Sequence, residues 1–203
     1  QQGDNGPLED FAVTAIADAQ GEIEIVATSG VAVTLGGLAI REVGYLVNST
    51  GDADDGILFN SSGTLALTNS TLSGNSTTGD NAHGGGIFTY SGDVTLTQST
   101  LSGNSTTGDF ADGGGISTSS GTVTLPQSTL SGNSTTGNNS DGGGLWFTDA
   151  TVYIVNSTVT GNTATGVGGG ISALENGELY GGLTIRNSSI AGNSANGTAI
   201  RWY

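Results

Sequence analysis

The sequence predicts an all-β chain, a right-handed parallel β-helix (β-solenoid) with three short strands in each coil of about 29 residues. Three observations predict it. Thr71-Leu72-Ser73-Gly74-Asn75 recurs with little change at residues 100–104, 129–133, 158–162 and 189–193, at spacings of 29, 29, 29 and 31 residues. Gly84-Gly85-Gly86-Ile87 keeps the same beat at 113–116, 142–145 and 168–171. Between these two elements lies a short alternating segment: Leu65-Ala66-Leu67, Val94-Thr95-Leu96, Val123-Thr124-Leu125, Val152-Tyr153-Ile154 and Leu183-Thr184-Ile185. Period-two alternation bounded by Gly, Ser, Asn and Asp is the signature of short strands. One such unit cannot bury its apolar side, whereas a stack of them can, because each strand pairs with its copy in the next coil. At the usual spacing of strands in a sheet, six to seven coils make a rod of roughly 30 Å.

The elements follow in order. Residues 1–30 read as an N-terminal cap or assembly segment leading into the first coil. Within it, Leu8 to Gln20 fits a helix through Leu8, Phe11, Ala12, Ala15, Ile16 and Ala19, and equally a strand through Phe11, Val13 and Ala15. Residues 31–195 read as the solenoid repeats, beginning with degraded copies at Val33-Thr34-Leu35 and Asp55-Gly56-Ile57. Residues 196–203 read as a C-terminal strand or anchor tail. Three inward columns are expected: Ile87, Ile116, Leu145 and Ile171; Leu72, Leu101, Leu130, Val159 and Ile190; and Leu67, Leu96, Leu125, Ile154 and Ile185. Thr95, Thr124 and Thr184 should face outward. The Gly triplets belong where the backbone bends sharply or takes positive φ. A leucine-rich horseshoe, the rival solenoid, needs a helical or turn segment in each repeat and a longer Leu consensus, neither of which is present.

Composition restricts partners. Gly is 37 of 203 residues but Pro only 2, which excludes a collagen-like chain. Lys is absent, the only cations besides His83 are Arg41, Arg186 and Arg201, and the net charge is -15. Such a surface repels nucleic-acid phosphates and anionic lipid headgroups. With no Cys, the fold needs no disulfide and the redox compartment stays open. No apolar run is long enough to insert in a membrane as a helix. The start at Gln1-Gln2 reads as a mature N-terminus after removal of a signal peptide.

The repeats resemble those of the polymorphic outer membrane proteins, right-handed parallel β-helix proteins of bacterial surfaces. The motifs of that family, Gly-Gly-Ala-Ile/Leu/Val and Phe-x-x-Asn, have counterparts here in Gly-Gly-Gly-Ile/Leu and Leu/Val/Ile-x-Gly-Asn, over residues 55 to 195. Gly replaces Ala, an aliphatic residue replaces Phe, and the chain holds no counterpart of that family's membrane barrel. The resemblance implies the fold, a secreted or cell-surface location and adhesion as a function; it carries over no catalytic residue.

Several residue sets are candidates for sites. Asn75, Asn104, Asn133, Asn162 and Asn193 should stack as a structural ladder, each amide bonding its neighbours and the local backbone. Asn-x-Ser/Thr occurs ten times, at Asn48, Asn60, Asn69, Asn75, Asn104, Asn133, Asn138, Asn156, Asn187 and Asn196, and Asn138 and Asn196 are the preferred glycan acceptors because their loops should be exposed. Acidic groups cluster before the Gly triplets, with Asp80 and Asp109 in register, Asp112 and Asp141 in register, and Asp54 and Asp55 in an earlier copy. Stacked carboxylates repel unless separated, solvated or bridged by a cation, and calcium suits such oxygen-rich loops. Solvated loops are the preferred reading, because the Asp spacing matches neither an EF-hand nor calcium-binding nonapeptides. Regular outward Thr and Ser columns (Thr71 with Ser73, Thr100 with Ser102, Thr129 with Ser131) invite comparison with ice-binding arrays, but hydroxyl residues are also what exposed strands ordinarily carry.

Three classes of function compete. The leading one is a non-enzymatic extracellular structural protein that self-associates, by end-to-end stacking or terminal strand donation, into a filament or sheath; Phe11, Ile200, Trp202 and Tyr203 are its assembly residues. The second is a monomeric adhesin or carbohydrate-binding module that takes a glycan on exposed Phe88, Tyr90, Phe110, Trp146 and Phe147. The third, a polysaccharide-active enzyme, is disfavoured. A lyase needs a base and cationic groups, a hydrolase needs paired carboxylates, and Asp54-Asp55 is the one adjacent pair, with no basic clamp beside it.

Overall fold

The computed structural model describes residues 58–60, 63–174, 182–198 and 200–201, together with the strands Ile25–Ala27, Ala32–Gly36 and Ala39–Arg41. All of its sheets are parallel, and the chain is a β-solenoid with a coil of about 29 residues. One coil runs through the strands Ile116–Thr118, Gly121–Pro126, Thr129–Ser131 and Ser134–Thr135. Each pairs in register with its copy in the next coil: Ile116 with Leu145, Val123 with Val152, Leu130 with Val159, Thr135 with Ala164. Among the described residues this stacking builds four sheets, of seven, six, six and five strands.

The coil therefore has one strand more than the sequence suggests. The additional one is the Ser-Thr pair after the Gly-Asn corner, as at Ser105–Thr106 and Ser134–Thr135. Two residues are too few for an alternation to be read. Its inward residue is Thr, which by polarity alone reads as outward, yet Thr106 and Thr135 are buried. Each is satisfied locally: Thr106 Oγ1 donates to the Ala111 carbonyl at 2.6 Å, and Thr135 Oγ1 to the Ser140 carbonyl at 2.8 Å. This fourth sheet thereby pins the base of the long loop in each coil.

The three expected inward columns are the core. Ile87, Ile116, Leu145 and Ile171 are fully buried, as are Leu96, Leu125 and Ile154, and Leu72, Leu101, Leu130 and Val159. A further column from the same alternating strand, Leu65, Val94, Val123 and Val152, joins them. Thr95, Thr124 and Thr184 are half-buried on the outer side of their sheet. Every fully sequestered Leu or Ile in these columns withdraws apolar surface worth about 1.5–3 kcal/mol from water.

The Gly triplet works through close approach. Its first residue takes left-handed backbone, as at Gly113 with φ 72°. Its second leaves no room for a side chain, since a Cβ on Gly114 would run into the carbonyls of Ser134 and Gly143. The triplet thus lets one coil lie against two neighbouring stretches of backbone, and this brings the loop column described next close to the sheet.

Candidate functional site

Two polar columns run along the solenoid, one inside and one on the loops. The inner one is the Asn ladder. Asn104, Asn133 and Asn162 are completely buried, and each follows a Gly in left-handed backbone. Asn104 donates its backbone N–H and its Nδ2–H to Asn133 Oδ1, both at 3.0 Å, and Nδ2 also donates to the Leu72 carbonyl at 3.1 Å. Asn133 repeats this with Asn162 and Leu101, and Asn162 with Asn193 and Leu130. At the other end Asn75 donates to Asn104 Oδ1 at 2.8 Å, while its own buried Oδ1 has no hydrogen-bond partner among the described residues. The sequons at Asn75, Asn104 and Asn133 are therefore closed to a glycan. So is the one at Asn60, which is buried and bonds the backbone of Gly63 and Asp93. Asn138 and Asn196, the preferred acceptors, are both exposed.

A second inner ladder escapes the sequence reading. Ser99 N–H donates to Ser128 Oγ at 3.1 Å and Ser128 N–H to Ser157 Oγ at 2.9 Å, while each hydroxyl donates to a carbonyl, Ser128 to Leu96 at 2.7 Å. The signal was present: a Ser precedes each Thr-Leu-Ser strand, at 70, 99 and 128. It was masked by the abundance of Ser throughout the chain.

The loop column holds the acidic candidates. In register stand His83, Asp112 and Asp141, followed by Val167. The Asp112 N–H donates to His83 Nδ1 at 3.0 Å, the Asp141 N–H to Asp112 Oδ1 at 2.7 Å, and the Val167 N–H to Asp141 Oδ1 at 2.8 Å. His83 Nδ1 also lies 3.8 Å from Asp112 Oδ2. Burial pushes the Asp112 carboxyl up to about 7; the hydrogen bond from Asp141 opposes this, and the Asp141 charge adds to it. Beside it runs a more exposed column, in which the Asp109 N–H donates to Asp80 Oδ1 at 3.0 Å and the Asn138 N–H to Asp109 Oδ1 at 2.8 Å. The Asn138 side chain also holds both Asp109 oxygens, at 2.9 and 3.1 Å, and these bonds keep the Asp109 carboxyl below its ordinary range.

The acidic residues are thus rungs of ladders, each taking a backbone N–H of the next coil. Among the described residues no three His, Asp or Glu side chains gather as a metal-ligand set. Asp54 and Asp55 lie outside the described residues, as do Phe11, Trp202 and Tyr203. Ile200 pairs with Ile171 in register, so Ile200–Arg201 continues the sheet of the Gly triplets.

The aromatic set divides. Phe88 and Phe147, expected to be exposed, are 4 % and 2 % exposed: Phe147 belongs to the core, and Phe88 is covered on the outer face of its sheet. Phe147 stands in register with Thr118, which is likewise buried. Phe88, Ser117 and Trp146 share one outer column. The His83 ring stacks on both Phe88 and Trp146, with centroids 6.0 Å away in each case, so it bridges the gap left by the small Ser117 between them. Trp146 is half-buried by this contact. Tyr90 and Phe110 alone of the five are well exposed, at 63 % and 54 %.

Compared with protein-family models, with curated proteins and with solved structures, the chain matches none.

Proposed function

We propose that the chain is a non-enzymatic extracellular structural protein, a right-handed β-solenoid subunit that assembles end to end into a surface filament or sheath. The observation that carries this is the state of the coil at residues 182–195. Ile154 is fully buried, whereas its partner in the next coil, Ile185, is 39 % exposed. Val159 is fully buried, whereas Ile190 is only partly so. Asn162 is sealed inside the ladder, whereas Asn193 is half-buried. These side chains keep the register, size and polarity of the interior columns and offer them to a further coil. An uncovered parallel edge with an apolar lining is a template for strand addition. The right hand of the coil follows the usual preference of parallel crossovers. The surface location rests on the resemblance of the repeats to those of outer-membrane surface proteins.

Electron microscopy and light scattering of the purified chain at near-physiological salt test this reading. Filaments with an axial repeat equal to a whole stack of coils are expected, and Ile190→Asp should reduce them to short rods. Monodisperse rods at every concentration, for the unaltered chain as for the variant, would overturn it.

A further inference from the structure

The tips of the loops in three successive coils are Asn81, Phe110 and Asn139. They stand in register through backbone bonds from Asn81 N–H to the Asp109 carbonyl and from Phe110 N–H to the Asn138 carbonyl, both at 2.9 Å. All three take left-handed backbone, with φ of 60°, 57° and 53°. Asn tolerates that conformation because its short side chain bonds locally; a bulky aromatic residue has no such compensation. Phe110 is not compensated by burial either, being 54 % exposed. Its neighbours one coil away on each side show that Asn satisfies this turn. What sets Phe110 apart from other left-handed surface residues is that it also turns a large aromatic face to solvent, which points to a role other than folding.

We propose that Phe110 is the stacking platform of a binding site for a neutral saccharide chain laid along the loop tips, flanked by the exposed amides of Asn81 and Asn139 and by the paired side chains of Asp109 and Asn138. The chemistry of the surround selects this occupant. A sugar ring has an apolar C–H face that covers an aromatic ring and a rim of hydroxyls that both donate and accept. The Asn81 and Asn139 amides supply donors and acceptors on either side of the ring, at the strand spacing of about 4.8 Å per coil. The Asp109 carboxylate, fixed by Asn138, adds an oriented acceptor. An acidic saccharide is excluded by the net charge of -15 and the absence of Lys. A basic peptide would be drawn by the same carboxylate, and the poly-lysine control below separates the two occupants. This site is independent of end-to-end assembly, since it lies on the side of the rod.

The test is affinity electrophoresis of the full chain in gels containing a soluble neutral β-glucan, mannan or galactan, with poly-lysine as the cationic control, repeated in the Ile190→Asp background so that assembly does not mask retardation. The unaltered chain should be retarded by at least one of the neutral polysaccharides. Phe110→Asn should weaken that binding by roughly tenfold or more, and Phe110→Tyr should keep it. The same Phe110→Asn variant should melt higher by about 2–4 °C, because the left-handed position is relieved. That combination, more stable yet unable to bind, is one that a merely structural residue does not give. Absence of retardation by every neutral polysaccharide, retention of binding in Phe110→Asn, or Phe110-dependent binding of poly-lysine alone would each overturn the proposal.

Discussion

The inner Asn ladder and the loop column of His83, Asp112 and Asp141 are built on one plan and tolerate change very differently. In both, a side-chain acceptor takes the backbone N–H of the residue one coil away. Inside, the residue at each described rung is Asn and nothing else, because it must present an acceptor to two donors and a donor to a carbonyl in a site without water. On the loop the rung needs only one acceptor, and imidazole, carboxylate and carboxylate succeed one another. The difference teaches that the number of hydrogen bonds demanded of a buried side chain, rather than its position in the repeat, decides which rungs vary. Where only one bond is demanded the chain is free to place an ionisable group, and at Asp112 it places one in a buried setting.

The comparison is broken most severely at its inner end. Asn133→Ala removes the acceptor of the Asn104 N–H and Nδ2–H, and removes the donor to the Leu101 carbonyl and to Asn162 Oδ1. Leaving several buried polar groups unpaired should cost about 3–5 kcal/mol. Denaturant unfolding followed by circular dichroism measures it. In the more exposed loop column beside it, Asn138→Ala removes bonds to a solvent-facing carboxylate and should leave the unfolding midpoint nearly unchanged. Equal losses in the two variants would refute the distinction drawn between the columns.

A pH-dependent effect separates the loop rungs from each other. The Asp112 carboxyl sits at about 7 in the folded chain, above its ordinary value of 3.8, and its side chain is only 15 % exposed. A raised folded-state value means that the protonated form is the one the fold prefers. The contribution is therefore fully present below about pH 4 and is lost as pH rises through 7. At about 1.4 kcal/mol per unit of pH, the loss reaches at most about 4 kcal/mol. Asp112→Asn keeps the acceptor for the Asp141 N–H and cannot ionise. It should leave stability unchanged near pH 4 and raise it at pH 8, flattening the profile. A variant whose stability falls with pH as steeply as that of the unaltered chain would place the titrating group elsewhere.

How much of this was legible follows from the same physics. The coil length, the core columns and the Asn ladder could be read because each rests on a residue that admits few substitutes, such as Leu72 and its copies or Asn104 and its copies. The fourth strand could not, since its buried residue is Thr106 or Thr135, and a Thr that bonds a carbonyl in the loop just after it looks like any surface Thr. Phe88 and Phe147 were misplaced for a related reason. Alternation predicts the face of a strand, but not that the His83 ring will roof Phe88, nor that Phe147 will take the inward column that Thr118 occupies one coil earlier. The acidic loops were recognised as stacked, while the device that holds the stack, a backbone N–H donated to each carboxylate, depends on a loop geometry that spacing alone does not specify.

A third column, at the outer corner before each Thr-Leu-Ser strand, gives the gentlest test. Asn69, Gln98, Gln127, Asn156 and Asn187 all take left-handed backbone there, with φ between 50° and 55°. No bond from the side chain to a neighbouring coil fixes the choice of residue as it does in the Asn ladder, so conformational preference should dominate. Gln lacks the short local bond that lets Asn adopt this conformation. Gln127→Asn should therefore stabilise the chain by about 0.5–1 kcal/mol, seen as an increase of about 1–4 °C in the melting midpoint. The sign carries the argument. A gain at this corner, beside the large loss at Asn133, would show that one residue type is required in the interior for its hydrogen bonds and favoured at the surface for its backbone; a loss would mean that the longer Gln side chain makes a contact worth more than the strain it tolerates.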